Sequence, residues 1–420
     1  MRLDPEWLQT QGEDTRLLYW VDTAFPFDPP DRIGVAVSGG GDSLALLHLL
    51  KRWSDQTGQP ITAVTVDHNL REGSRAEAEH VAALCADWGI AHDILTWDGW
   101  DGQGNLQSKA REARYRLMGQ WALANGVDAI VLGHTQTDVA ETFLMRLARK
   151  AGIDGLAAMD KNFEKEGLRW SRPLIHENRA YLRDYLRHHK ITWMDDPSNS
   201  DPRFARVQAR EVLKALAPLG IDEEAIGQAA HNIWIGKSAL ETYTSELAQT
   251  HVAVDAGVLT LRRRPPLPVE IERRLLVEAL KWVGRLEYPP RAATLGEIEL
   301  ALITGEKTAA CGCIILSKKR DLVMFRELQA VKSLVGPTTA LWDGLWSLDG
   351  PHDPAFQIRA LGEAVQQCPD WRDAGLPRDA LMATPAIFEK DTLIAAPVAG
   401  LKNGWRAHIV ADFHSTLHGH

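Results

Sequence analysis

IGVAVSGGGDSLALLHLL (33–50) decides the fold. A short branched apolar run, IGVAV (33–37), meets three consecutive glycines, and LALLHLLKRW (44–53) resumes with helical character. A strand that turns into a helix through glycine lets backbone N–H groups approach an anion closely. Ser38 and Ser43 add hydroxyl donors to Gly39, Gly40 and Gly41. Asp42 cannot itself receive a phosphate, so a carboxylate at this point calls for Mg2+ between it and the anion. No Gly-Lys-Ser/Thr follows, which excludes a Walker A loop, and the spacing is not that of the dinucleotide GxGxxG loop. The plain alternative is a glycine turn capped by Ser38 and Asp42.

Working outward, the same alternation repeats. ITAVTVD (61–67), HDILTW (92–97) and DAIVLGH (128–134) read as strands. RAEAEHVAALCADWG (75–89), LQSKAREARYRLMGQWALANG (106–126) and TDVAETFLMRLARKAG (137–152) read as helices, each stretch ending at a glycine. Strands alternating with helices predict an α/β fold, a doubly wound and mostly parallel sheet with helices on both faces. Ligands of such sheets lie outside the carboxyl ends of the strands. The glycine loop, Asp67-His68 and Gly133-His134 each directly follow a predicted strand, so the three are expected at one site.

Beyond residue 215 the pattern changes. IDEEAIGQAAHNIWIGKSALETYTSELAQ (221–249) reads as one long helix, HVAVDAGVLTLRR (251–263) as a hairpin, VEIERRLLVEALKWV as a helix, and TAACGCIILSKKRDLVMFRE as a β-rich close. From about 330, tryptophan, glycine and proline alternate with short strand-like pieces. The expected domains are 1–215, 216–328 (helical, α+β) and 329–420 (small and β-rich).

The chain has 420 residues, enough for two or three domains, and 45% apolar with 25% charged residues is ordinary for a soluble protein. No apolar run is long enough for a bilayer, and MRLDPEWLQTQGEDTR lacks a secretory layout, so a cytoplasmic protein without a membrane partner is expected. The net charge of −9 does not advertise nucleic-acid binding, although where the positive charge sits matters more than the total. Cys85, Cys311, Cys313 and Cys368 are too few for a disulfide framework. Cys311-Gly312-Cys313 lacks the further ligands of a zinc site, and a strand CGCIIL with two small buried residues is the expectation.

SGGGDS (38–43) resembles the SGGxDS signature of the N-type ATP pyrophosphatases, the PP-loop superfamily. VDHNLR (66–71), Asn105 with AREARY (110–115), LGHTQTDVAET (132–142), RPL (172–174) and DDPSN (195–199) follow in order, and together they resemble the tRNA(Ile)-lysidine synthetases. The match is strong over 30–210. WDG (342–344) and AAP (395–397) resemble the extra C-terminal domain of longer members. The resemblance implies ATP as cosubstrate, free L-lysine as nucleophile and an isoleucine tRNA with a CAU anticodon as partner. ATP adenylates the C2 oxygen of the wobble cytidine, and the lysine ε-amine then displaces AMP. A homodimer is compatible with it.

The residues suit that chemistry. On a helix, His134, Asp138, Glu141 and Met145 fall near one face. Asp138 and Glu141 can hold an ammonium and one can take its proton. Arg111 and Arg114, three apart, can answer negative charge on the α-phosphate and the activated base. Asp67 and His68 can contact nucleotide, and Asn105 substrate. Arg206 and Arg210 match the family's basic positions, whereas Val207 stands where the family usually has asparagine. Arg179, Arg183 and Arg187 line one helical face as a phosphate-backbone footprint. Trp53, Trp88 and Trp121 fall in helical patterns and are expected in the core, and Trp193, next to DDPSN, is the tryptophan to test for base stacking. For each of these, a solvated charge, a helix cap or a core aromatic is the plain alternative. A tRNA thiolase would want cysteines near the nucleotide, and only Cys85 precedes residue 311. A non-catalytic tRNA-binding protein would not need SGGGDS intact with Asp138 and Glu141.

Overall fold

The four apolar runs become the parallel strands that the alternation demands. In a computed structural model, which describes residues 2–26, 29–69, 73–97, 100, 106–194, 204–318 and 321–417, the chain divides into two compact units, Met1–Lys237 and Ser238–His420. In chain order the first contains α1 (Pro5–Gln9), α2 (Thr15–Asp22), β1 (Ile33–Ala36), α3 (Gly41–Thr57), β2 (Ile61–Asp67), α4 (Ser74–Asp87), β3 (Ala91–Thr96), α5 (Leu106–Ala124), β4 (Ala129–Leu132) and α6 (Gln136–Ala148). It continues with α7 (Ile153–Leu156), β5 (Asn162–Lys165), β6 (Leu168–Ser171), α8 (Arg179–His188) and α9 (Ala205–Leu216). The helix α10 (Glu223–His251) runs across the boundary.

The sheet order is β3-β2-β1-β4-β6-β5, parallel except for the edge strand β5. β1 pairs with β2 on one side and β4 on the other, with Val35 opposite both Ala63 and Val131. The strand order therefore reverses between β1 and β4, which is where open parallel sheets leave a crevice for ligands. Alternate side chains feed two cores. Val35, Ala63 and Val131 pack with Leu44, Leu47 and Leu50 of α3 and with Leu182 and Leu186 of α8. Val64, Ile130 and Leu132 pack on the opposite face with Met118, Trp121 and Ala122 of α5. Of the tryptophans expected in the core, Trp53 and Trp121 are buried and Trp88 is partly buried against the same core as Trp53.

Two local readings change. α6 begins at Gln136 with Thr135 as its cap, so His134 stands at the end of the β4 turn and not on the helix face with Asp138 and Glu141. Asn105, and the DDPSN segment at 195–199, lie outside the described residues.

The second unit opens with the hairpin β7 (Val252–Asp255) and β8 (Val258–Leu261), turned through Ala256 and Gly257 at positive φ. α11 (Val269–Gly284) and α12 (Ala292–Thr304) follow, then β9 (Thr308–Ala310), β10 (Cys313–Lys318) and β11 (Asp321–Arg326), giving a sheet ordered β7-β8-β11-β10-β9. Cys311 and Gly312 both have positive φ and form the turn between β9 and β10. Cys311-Gly312 is thus a hairpin turn, the strand starts only at Cys313, and only Cys313 of the pair is buried. A four-stranded sheet orders Val335–Pro337, Phe356–Ala360, Pro385–Glu389 and Thr392–Ala395. One apolar cluster takes in Leu275, Ile315 and Met324 together with Trp346, Ile387 and Trp405, on both sides of residue 328. Among the described residues no helix is long and apolar enough to cross a membrane.

Candidate active site

The loop after β1 is tied at both ends. Ser43 Oγ donates to the Gly40 carbonyl at 2.9 Å, accepts from the Ser38 N–H at 3.1 Å, and lies 3.2 Å from Ser38 Oγ. Gly39 has φ +82°, a conformation costly for any residue with a Cβ. Its carbonyl accepts from the Met194 N–H at 3.2 Å. Gly133 serves close packing: a Cβ there would lie 2.9 Å from Ser43 Cα and 3.0 Å from the Asp42 carbonyl oxygen. The β4–α6 turn is thereby seated on the first turn of α3. Gly40 and Gly41 are different. A Cβ on either would meet nothing closer than 3.7 and 3.5 Å, so the fold itself has room for side chains there.

Facing the loop is a cluster of carboxylates and guanidiniums. Asp42 is in the first turn of α3, Asp138 and Glu141 in the first two turns of α6. Asp138 Oδ2 accepts from the Thr135 N–H and Oγ1, both at 3.0 Å, which fixes the start of α6 in a reciprocal cap. Arg179, the first residue of α8, reaches all three acids: Nε donates to Asp42 at 2.8 Å, Nη2 lies 3.7 Å from Asp138 and Nη1 3.6 Å from Glu141. From α9, Arg206 lies 3.5 Å from Asp138 Oδ1 and Arg210 Nε donates to Glu141 Oε1 at 2.5 Å. Glu141 Oε2 is buried and makes no hydrogen bond to a described residue.

These surroundings set the protonation of each acid. Burial raises Asp42, with Arg179 opposing, and burial raises Glu141, with Arg210 opposing. Burial also works to raise Asp138, but His134, Arg179, Arg206 and the Thr135 N–H outweigh it and hold the carboxyl below its ordinary range. Burial lowers His134 to about 3 despite Asp138, so its imidazole is neutral near pH 7. Arg179 is raised, because Asp42, Asp138 and Glu141 together outweigh its burial.

On α5, Arg111 and Arg114 have no ion-pair partner among the described residues. Burial lowers the Arg114 guanidinium, and Arg111 and Arg206 repel it further; its Nε makes no hydrogen bond to a described residue. Arg111 is exposed and lies over the Tyr115 ring at 5.4 Å. His68 is lowered to about 4 by burial and by Arg114. Asp67 Oδ1 braces the turn after β2, accepting from the Asn69 N–H at 2.9 Å and Ser74 Oγ at 2.7 Å. The expected residues that are described thus sit at the carboxyl edge of the sheet, and Arg179 joins them. Sequence reading assigned Arg179 to a phosphate-backbone stripe; the fold turns it inward. Arg183 and Arg187 do stand together, each with its guanidinium 5.8 Å from the Trp193 ring. Arg172 is structural: it covers the Phe163 ring at 4.0 Å and donates to the Asp160 carbonyl at 2.5 Å.

A cation with oxygen ligands fits Asp42. It offers a hard carboxylate beside the loop, and phosphates and water commonly supply the other ligands of Mg2+. Among the described residues no group of three or more His, Cys, Asp or Glu forms a self-sufficient metal site.

A glycine loop at the strand-order reversal of a parallel sheet is the arrangement of PP-loop ATP-binding enzymes, and a family model described as a PP-loop domain matches residues 15–216. The chain is 45% identical over 402 residues to the tRNA(Ile)-lysidine synthase of Ruegeria pomeroyi, covering 94% of this chain and 96% of that one. It is 33% identical over 385 residues to the tRNA(Ile)-lysidine synthase of Wolbachia pipientis wMel, covering 87% and 88%. The chain belongs to the tRNA(Ile)-lysidine synthase family. Among solved structures, the U34-tRNA thiolase NcsA of Methanococcus maripaludis superposes with a TM-score of 0.41 at 16% identity, over 48% of this chain and 71% of that one.

Proposed function

We propose that this enzyme adenylates the C2 oxygen of the wobble cytidine in the CAU anticodon of an isoleucine tRNA, and then joins C2 to the ε-amine of free L-lysine. The observation that carries this reading is the juxtaposition of two unlike pockets: a buried acid pair, Asp138 and Glu141, beside Arg111 and Arg114, which have no carboxylate partner among the described residues. A reaction that needs both a cationic nucleophile and a developing anion asks for that pairing.

The loop 38–43 directs N–H groups at the polyphosphate, and Gly40 and Gly41 leave room for it that the fold does not otherwise need. Mg2+ held by Asp42 would supply charge neutralisation of the β- and γ-phosphates. The cytidine oxygen attacks the α-phosphorus and pyrophosphate leaves. Arg111 and Arg114 stabilise the charge on the α-phosphate, and neutral His134 hydrogen-bonds the base without adding charge. Asp138, the more firmly ionised acid, holds the lysine ammonium. Glu141, raised by burial, is the better proton acceptor. The freed amine attacks C2, the C2–O bond breaks, and AMP leaves. Asp67, His68, Asn105, Arg206 and Arg210 complete the nucleotide and substrate contacts in this reading. Regions 216–328 and 329–420 grip the tRNA body in the cytoplasm, because one anticodon base does not identify a tRNA.

Sulfur transfer lacks a thiol here: burial pushes Cys85 up to about 11, and the other three cysteines belong to the second unit. Incubation with a CAU-anticodon isoleucine tRNA, ATP and L-lysine should release AMP dependent on both tRNA and lysine, and give a cytidine heavier by lysine minus water. Absence of both products would end the proposal.

A further inference from the structure

We infer that Arg179 is a resident counter-ion that occupies the seat of the substrate ammonium between Asp42, Asp138 and Glu141, so that amino-acid binding waits for nucleotide. The inference rests on the reading that Asp138 and Glu141 receive the ammonium. The geometry behind it is specific. A single guanidinium points a different nitrogen at each of three carboxylates, at 2.8, 3.7 and 3.6 Å. Only the contact to Asp42 is of hydrogen-bond length. The contacts to Asp138 and Glu141 are held by charge, so another cation can replace them without loss of a directional bond.

Charge balance gives the order of binding. Among the described residues the three carboxylates pair within 4 Å with three guanidiniums, those of Arg179, Arg206 and Arg210, and Arg183 adds further positive charge toward Asp42. The carboxylates are therefore fully answered before any ligand arrives, and an added ammonium would be an excess buried charge. Removing Arg179 first is no easier, because it strands buried carboxylates, Glu141 being fully buried. An incoming triphosphate changes both terms. It settles against the loop that carries Asp42, the residue to which Arg179 is tethered, and offers the guanidinium a new anionic partner. Arg179 can then leave Asp138 and Glu141 as the ammonium enters. The movement asks little of the backbone. Asn178 caps α8 by accepting from the Tyr181 N–H at 2.8 Å, and Leu182, Tyr185 and Leu186 bury the helix against α3. The side chain of Arg179 alone has to swing.

Calorimetric titration with L-lysine tests this, with and without a saturating nonhydrolysable ATP analogue and Mg2+. The wild-type protein should bind lysine about tenfold or more tightly with nucleotide present, and lysine should tighten nucleotide binding by the same factor. In Arg179→Gln, lysine should bind tightly in both states, with coupling reduced to about twofold or less. Arg179→Lys, a shorter cation, should retain part of the coupling and serves if the glutamine variant does not fold. Equal wild-type affinity with and without nucleotide overturns the inference, as does wild-type coupling in a folded Arg179→Gln. Both of those results leave lysine binding intact. If no form binds lysine in any state, the assignment of the acid pair to the ammonium falls, and this inference falls with it.

Discussion

A methyl group on Gly133 would lie 2.9 Å from Ser43 Cα, backbone against backbone, with no flexible side chain to give way. Gly133→Ala should therefore push the β4 turn off the first turn of α3, costing about 1–3 kcal/mol of stability and weakening nucleotide binding through the displaced loop. Gly40→Ala should separate those effects: with nothing nearer than 3.7 Å it should melt like the wild type yet bind an ATP analogue more weakly. Thermal melts and nucleotide titrations of both variants check this, and a Gly40→Ala that binds nucleotide normally removes the loop's proposed role. Asp138 has two duties, capping α6 and facing Arg206 and Arg179. Asp138→Asn keeps the cap's shape, so the stability loss should stay near 1 kcal/mol, while lysine-dependent AMP release should fall about a hundredfold or more, because the ammonium loses the carboxylate that holds it. ATP affinity should change by less than about threefold, and equal losses of turnover and ATP binding would count against the role given to Asp138. Spacing made Asp138 with Glu141 readable, because a three-residue step on a helix places both members on one face, whereas Arg206 and Arg210 were legible through the family resemblance. Arg179 shares a face in the same way with Arg183 and Arg187, and that is why it was misread. A stripe looks alike whether it faces solvent or acids on another helix, and only tertiary packing separates the two.

At the scale of elements, the seating of α8 on α3 controls where Arg179 points. His48 on α3 lies 2.7 Å from Tyr185 Oη on α8, Nδ1 to oxygen. Arg52 and His189 both reach Asp14, at 2.6 and 2.8 Å. Burial lowers His48 to about 4, helped by His189 and Arg52, against 6.5 in an open chain. Between those values the unfolded chain takes the proton and the folded one does not, so stability is full above about pH 6.5 and falls as the pH drops toward 4. Asp42 and Glu141, raised on folding, act in the opposite sense, so the measurement must be a difference. Chemical denaturation from pH 7 to 4 should show a smaller loss in His48→Gln than in the wild type. Parallel curves would mean that His48 does not titrate as this packing requires. The strands and helices of the first 150 residues were legible because apolar runs and helical spacing there come in uninterrupted blocks, closed by glycines such as Gly58. The turn at Cys311-Gly312 was not: its small residues pattern like a strand, and only the positive φ of Cys311 and Gly312 reveals the reversal.

At the scale of the molecule, each unit has its own apolar cores. Leu47, Val131, Leu182 and their neighbours stabilise Met1–Lys237, while Leu275, Met324, Ile387 and Trp405 stabilise Ser238–His420. Cores that share no buried side chains lose their packing separately unless the connection between them couples the losses. The link visible in the chain is α10, which starts in one unit and ends in the other. Scanning calorimetry of the full chain should therefore show two heat-absorption peaks. The glycine loop and its acid cluster lie wholly in the first unit, so ligand linkage predicts which peak moves. A nonhydrolysable ATP analogue with Mg2+, at about a hundred times its dissociation constant, should stabilise that unit by about 2.7 kcal/mol and raise one peak by a few degrees. The other peak should stay in place. Adding L-lysine should raise the first peak again only when nucleotide is present, as expected if Arg179 holds the ammonium seat until then. A single peak that moves as a whole would overturn this reading of two separately melting units.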